Sequence, residues 1–92
     1  MAKKLFPNRL GMGDSGPAVK IFQEYLIQSD YADVDADGEY GPMTVAAVKD
    51  MRIKLDLSAE LGQLGPQLKA KLREGSADFE PVDFDSYEVD ED

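Results

Sequence analysis

The sequence predicts an all-α fold: a small three-helix bundle with two pseudo-repeated Gly-x-apolar-Gly-Pro loop–helix units and a disordered acidic C-terminal tail. Three observations predict it. Apolar residues recur at helical spacing in three stretches, each of which starts near a proline, and no segment alternates with period two for long. The length, 92 residues, suits a single domain.

The first helix is expected over about Pro17 to Gln28. Val19, Phe22 and Leu26 fall at i, i+3 and i+7, with Ile21 and Tyr25 beside them, which makes one broad apolar face. Asp14 or Ser15 is the expected cap, and Pro17 suits a first turn, where the missing N–H costs nothing. A second helix starts near Pro42, with Thr44, Val48, Met51 and Leu55 on one stripe and Val45 and Ala47 beside it. A third and shorter one starts near Pro66, carries Leu68 and Leu72 at i, i+4, and stops at Gly75.

The loops repeat. Residues 37–48 and 61–72 align at an offset of 24, both reading Gly-x-apolar-Gly-Pro before a helix. Gly38 and Gly62 permit a turn with positive φ, so the next apolar residue, Tyr40 or Leu64, points inward as a plug. Gly41-Pro42 and Gly65-Pro66 then start the helices, and the duplication predicts a pseudo-symmetric body.

Charge divides the chain. The formal net charge is −9, yet residues 1–75 hold eleven acidic and ten basic side chains, a net of −1. Residues 76–92 hold eight acids and no base, a net of −8. The expected organisation is therefore an N-terminal arm over 1–9, a folded body over 10–75 and an acidic tail over 76–92. A like-charged block repels itself and buries little, so the tail is expected to be disordered. Phe79, Phe84 and Tyr87, interleaved with its acids, have no part in solvation, and they suggest docking on a protein partner or folding back on the body.

Composition also excludes functions. An acidic chain without a basic cluster is no phosphate-neutralising nucleic-acid binder, and it has no electrostatic attraction to anionic lipid. No stretch approaches the roughly 20 apolar residues of a membrane span. The basic start at Lys3-Lys4 is followed by too short an apolar run for a secretory signal, so action at a wall would follow lysis, another export route or incorporation in a particle. Without His or Cys, the usual general base, thiolate nucleophile and commonest zinc ligands are missing, and no nucleophile elbow or phosphate-cradling loop is present. No enzymatic activity, catalytic residue or cofactor is expected. Asp33, Asp35 and Asp37 with Gly38 resemble the opening of a calcium loop, but its twelfth position, which needs a bidentate carboxylate, is Thr44. No metal is expected there.

The ordered motif is more specific. Leu10, Gly13, Gly16, Val19, Phe22, Gln23 and Leu26, then Tyr31, then Asp37, Gly38, Tyr40, Gly41, Thr44, Ala47 and Val48 stand in one register. In that register the chain resembles the small three-helix peptidoglycan-binding domain found beside many cell-wall hydrolases, over about residues 10–72. The second unit is eroded: Met51-Arg52 replaces Phe-Gln, Leu61 stands for Asp, Leu68 for Thr, and Asp30 replaces the glycine before Tyr31.

The resemblance implies non-catalytic binding to bacterial cell-wall peptidoglycan by a module of bacterial or bacteriophage origin, with Gln23, Tyr31, Tyr40 and Thr44 as ligand-binding residues. The Tyr31 ring would stack on a sugar face and the Gln23 amide would bond N-acetyl or peptide groups. The alternative is a structural adaptor that reuses the scaffold to bind a protein through residues 76–92 or the eroded unit.

Overall fold

The computed structural model describes residues 3–31 and 33–90. Met1 and Ala2 of the arm, and Glu91 and Asp92 of the acidic segment, lie outside the described residues. Three helices form the body: α1 (Pro17–Gln28), α2 (Pro42–Lys54) and α3 (Pro66–Glu74). Two short strands, β1 (Lys3–Leu5) and β2 (Glu88–Asp90), pair antiparallel with Lys4 opposite Val89.

The helices form where the apolar stripes lie. Val19, Phe22 and Leu26 of α1, Val48 and Met51 of α2, and Leu68 and Leu72 of α3 all lose their solvent contact in one core. Each helix begins the same way, with a glycine N-cap followed by proline: Gly16-Pro17, Gly41-Pro42 and Gly65-Pro66. None has a side-chain cap. The expected cap at Asp14 or Ser15 is thus corrected, and Asp14 Oδ2 instead accepts from Gly11 N–H at 2.8 Å.

The duplicated loops act as plugs. Tyr40 and Leu64 are both buried, and both pair with the extended segment that precedes α1. Leu10 and Leu64 exchange backbone hydrogen bonds at 2.9 Å, while Tyr40 N–H donates to Asp14 O at 2.9 Å and Gly13 N–H to Tyr40 O at 3.0 Å. The Tyr40 hydroxyl then donates to Gly62 O at 2.7 Å, tying one unit to the other. Gly62 has no alternative there. At φ 56 a Cβ would stand 2.8 Å from Val45 Cγ1 and 2.9 Å from Val45 O.

The acidic segment corrects the expectation of a disordered tail. From Ser76 to Asp90 it runs back over the body and completes the core. Phe79, Phe84 and Val89 are buried. Phe84 lies among Phe6, Phe22, Tyr25 and Tyr87, with ring centroids 5.1 to 5.7 Å away. Val82 N–H donates to Leu72 O, and the Tyr25 hydroxyl to Glu80 O, both at 2.8 Å. Phe79, Phe84 and Val89 are thus spent inward, while the Tyr87 ring stays partly in solvent.

The like charges do not prevent the return because α3 meets them with cations. Lys69, only 3% exposed, donates to Pro7 O and to Asp85 Oδ1 at 2.8 Å. Arg73 reaches Asp85 Oδ2 at 2.9 Å and Asp83 Oδ1 at 3.5 Å. The Lys69 hydrogen bond, with the charges of Lys69 and Arg73 behind it, holds the Asp85 carboxyl below its ordinary value. A carboxylate whose folded pKa is depressed adds stability above its unfolded pKa and loses it as pH falls through the folded one. Asp85→Asn is therefore expected to lower the urea midpoint at neutral pH and to flatten its decline from about pH 5 downward. Parallel midpoint-against-pH curves for variant and wild type would show that the clasp contributes nothing.

Candidate ligand-binding site

The first loop is organised around one side chain. Gln23, on α1, is 1% exposed. Its two amide hydrogens serve three acceptors: Glu39 O at 2.7 Å, Thr44 Oγ1 at 3.1 Å and Asp37 Oδ1 at 3.2 Å. Its oxygen accepts from Gly38 N–H at 2.8 Å. Asp37 also accepts from Glu39 N–H at 2.9 Å, and that bond is the main cause of its lowered pKa. The Asp-Gly turn is thereby clamped to α1.

Of the four residues expected to meet a ligand, three are engaged with the chain itself. Gln23 has both amide hydrogens engaged, Thr44 is buried beside it, and Tyr40 is a core plug whose hydroxyl is committed to Gly62. Gln23 and Thr44 nonetheless line a shallow recess with Asp37, Gly41 and Pro42. Asp37 is likewise part of the turn, and among the described residues no three acids gather as they would around a metal ion.

Tyr31 is placed differently. α1 ends with Asp30 in the left-handed region, φ 75, where a glycine would be unstrained, and Tyr31 N–H returns to Leu26 O at 3.1 Å. Phe79 from the acidic segment stacks parallel to the Tyr31 ring at 6.3 Å, and Lys54 Nζ stands 5.5 Å from its centroid. Burial, then the Asp50 carboxylate, pushes its pKa up, so the phenol stays neutral. The hydroxyl is buried without a hydrogen-bond partner among the described residues. Stacking of a sugar flat on this ring would have to displace a neighbour; its free contribution is an edge.

That edge borders a recess of ≈ 490 Å³ that Tyr31 itself lines with Val34, Met43, Ala46 and Ala47, together with Asp30, Asp33 and Asp50. Across Ala46 a second apolar recess of ≈ 380 Å³ is lined by Met12, Val45 and Leu61. Met12, Met43 and Leu61 are each more than half exposed. Together the two recesses make an open apolar groove along the outer face of α2, which suits a flat, extended ligand rather than a small enclosed one.

A family model described as "Putative peptidoglycan binding domain" matches residues 15–72, from the start of α1 to the last buried leucine of α3. The chain belongs to this family. This peptidoglycan-binding domain is also similar to the crystal structure of the SleB N-terminal domain, with 27% identity and a TM-score of 0.64 over 71% of this chain and 89% of that one. No curated protein matches it. The matched region stops before the acidic segment, so the packed strap over residues 76–90 lies beyond what the family model describes.

The strap was the feature least visible in the residues. Beside the interleaved aromatics there is one further signal: Lys69 and Arg73 lie four apart on α3, and Asp83 and Asp85 two apart on the return segment, so both pairs present one face. The methionine-rich groove had no such signal, because exposed apolar residues on α2 look like core positions in a helical pattern.

Proposed function

We infer that the chain is a non-catalytic module that binds cell-wall peptidoglycan along the groove over α2, with the edge of Tyr31 at one end. The observation that carries this reading is the family match across the whole three-helix scaffold. The groove supports it: methionine and alanine side chains give an apolar floor for the flat faces of sugars, and the acids beside Tyr31 suit amine-bearing groups of the stem peptide.

Sedimentation with purified sacculi tests the reading. The full chain is expected to sediment with the wall, and Ala46→Arg, which fills the groove from an exposed position, is expected to weaken binding about tenfold, or about 1.4 kcal/mol. Failure of the full chain to sediment would overturn wall binding. Unchanged binding by Ala46→Arg would move the site away from α2.

A further inference from the structure

The two loop–helix units are clamped by equivalent side chains, and the second clamp carries a charge that the first does not. In the first unit Gln23 Nε2 donates to the Glu39 carbonyl at 2.7 Å. In the second, Arg52 Nε donates to the Gln63 carbonyl at the same distance, 2.7 Å. Glu39 and Gln63 are the same position of the repeat, and Gln23 and Arg52 each follow a fully buried core residue, Phe22 and Met51. The geometry of the clamp is therefore kept while its chemistry changes.

The partners change with it. Around Gln23, Asp37 and Thr44 take up the remaining amide capacity. Their counterparts around Arg52 are Leu61 and Leu68, which accept nothing. Arg52 spends Nε on Gln63 and Nη1 on Ser58 O at 3.1 Å, and Nη2 is left at the Gly65 edge of the loop, 3.5 Å from where a Cβ would stand. This guanidinium borders an open recess of ≈ 420 Å³, and the exposed Arg9 lines the same recess. Among the described residues no carboxylate forms an ion pair with either arginine; Glu60 lines the recess beyond that range. Partial burial lowers the pKa of Arg52, the mark of a cation that has lost water without gaining an anion.

We propose that the Arg52–Arg9 recess is a binding site for an oxyanion, a carboxylate or a phosphate group, distinct from the α2 groove. Arg52 is held in place by two backbone carbonyls and offers its remaining N–H groups as a fork, the geometry that takes planar carboxylate or phosphate oxygens. Arg9 adds a second charge from the facing arm. On a cell wall the group would be a free carboxylate of the stem peptide or a phosphate of an anionic wall polymer. The site stands or falls independently of the groove.

NMR titration of the full chain separates the cases, with three probes: N-acetyl-alanyl-alanine, its C-terminal amide, and inorganic phosphate. At least one anion is expected to give saturable shifts at Arg52 and Gln67, and the amide none. A stronger response to the dipeptide acid assigns a peptide carboxylate, and a stronger one to phosphate assigns a phosphate polymer. Arg52→Gln restores the residue type of the first unit and keeps a donor for Gln63, so its spectrum should remain that of the folded protein while the affinity falls about tenfold or more. Arg9→Gln should weaken binding without touching the clamp. Shifts that do not saturate with either anion, equal shifts with the amide, or unchanged affinity in Arg52→Gln would overturn the site.

Discussion

Phe84→Ala is expected to destabilise the protein by about 3–5 kcal/mol, the usual consequence of removing a buried aromatic side chain. The ring is 1% exposed and touches aromatic residues from three parts of the chain: Phe6 of the arm, Phe22 and Tyr25 of α1, and Tyr87 beyond it. A domain of this size has a total stability on the order of 5–14 kcal/mol, so the variant would lie near the threshold of folding. A thermal melt followed by circular dichroism reads the effect, at roughly 4–8 °C per kcal/mol. Were residues 76–90 a solvated appendage, the same substitution would change stability by about 0.5 kcal/mol or less. Tyr87→Ala, at a ring still 39% exposed, should fall between these limits.

The strap explains how a body with a net charge of −1 tolerates eight further acids. Aromatic burial supplies the attraction, which depends on area and not on charge. The cations of α3 neutralise the two acids brought closest to the body, Asp83 and Asp85, while Asp78, Glu80 and Glu88 stay in water where their repulsion is screened. Removal of residues 76–92 therefore takes away part of the core together with the charge. A truncated chain that bound the wall poorly would report lost folding as much as lost recognition, and single substitutions on a folded background are the cleaner probe.

The three helices were legible because their signals are local. Apolar spacing, Gly-Pro starts and the stop at Gly75 all act within a few residues, and α1, α2 and α3 begin at the prolines that mark them. The plugs Tyr40 and Leu64 were legible for the same reason, since the Gly-x-apolar turn fixes their direction. What escaped were contacts across long separations. Lys69 meets Pro7 across 62 positions and Tyr25 meets Glu80 across 55, and nothing in the local pattern announces either. Composition pointed to disorder in the acidic segment because it counts charges along the chain, whereas folding weighs where Phe79, Phe84 and Val89 go. Among the site residues, the family register did not reveal that the Gln23 amide and the Thr44 hydroxyl meet each other, or that the Tyr40 hydroxyl turns to Gly62.

Gln23→Leu tests that last distinction, and it is expected to destabilise by about 3 kcal/mol. Leucine matches the volume of the amide, so the cost comes from the groups it abandons: Gly38 N–H loses its acceptor and the Glu39 carbonyl loses its donor, both at partly buried positions. Sacculus binding per folded molecule should be unchanged, because the side chain is 1% exposed and lies outside the groove over α2. A variant of undiminished stability with lost wall binding would reverse the assignment and restore Gln23 as a ligand residue. Gln23→Glu sharpens the case. A carboxylate there would face the Glu39 carbonyl and the Asp37 carboxylate with no hydrogen to give, so its pKa should rise and its penalty should exceed that of leucine at neutral pH. A raised folded pKa means that the penalty grows above the unfolded value and shrinks below about pH 4, as the new acid takes up a proton and regains a donor. The gap between the two variants, measured as urea midpoints from neutral to acid pH, should therefore close on acidification, which a ligand role for Gln23 gives no reason to expect.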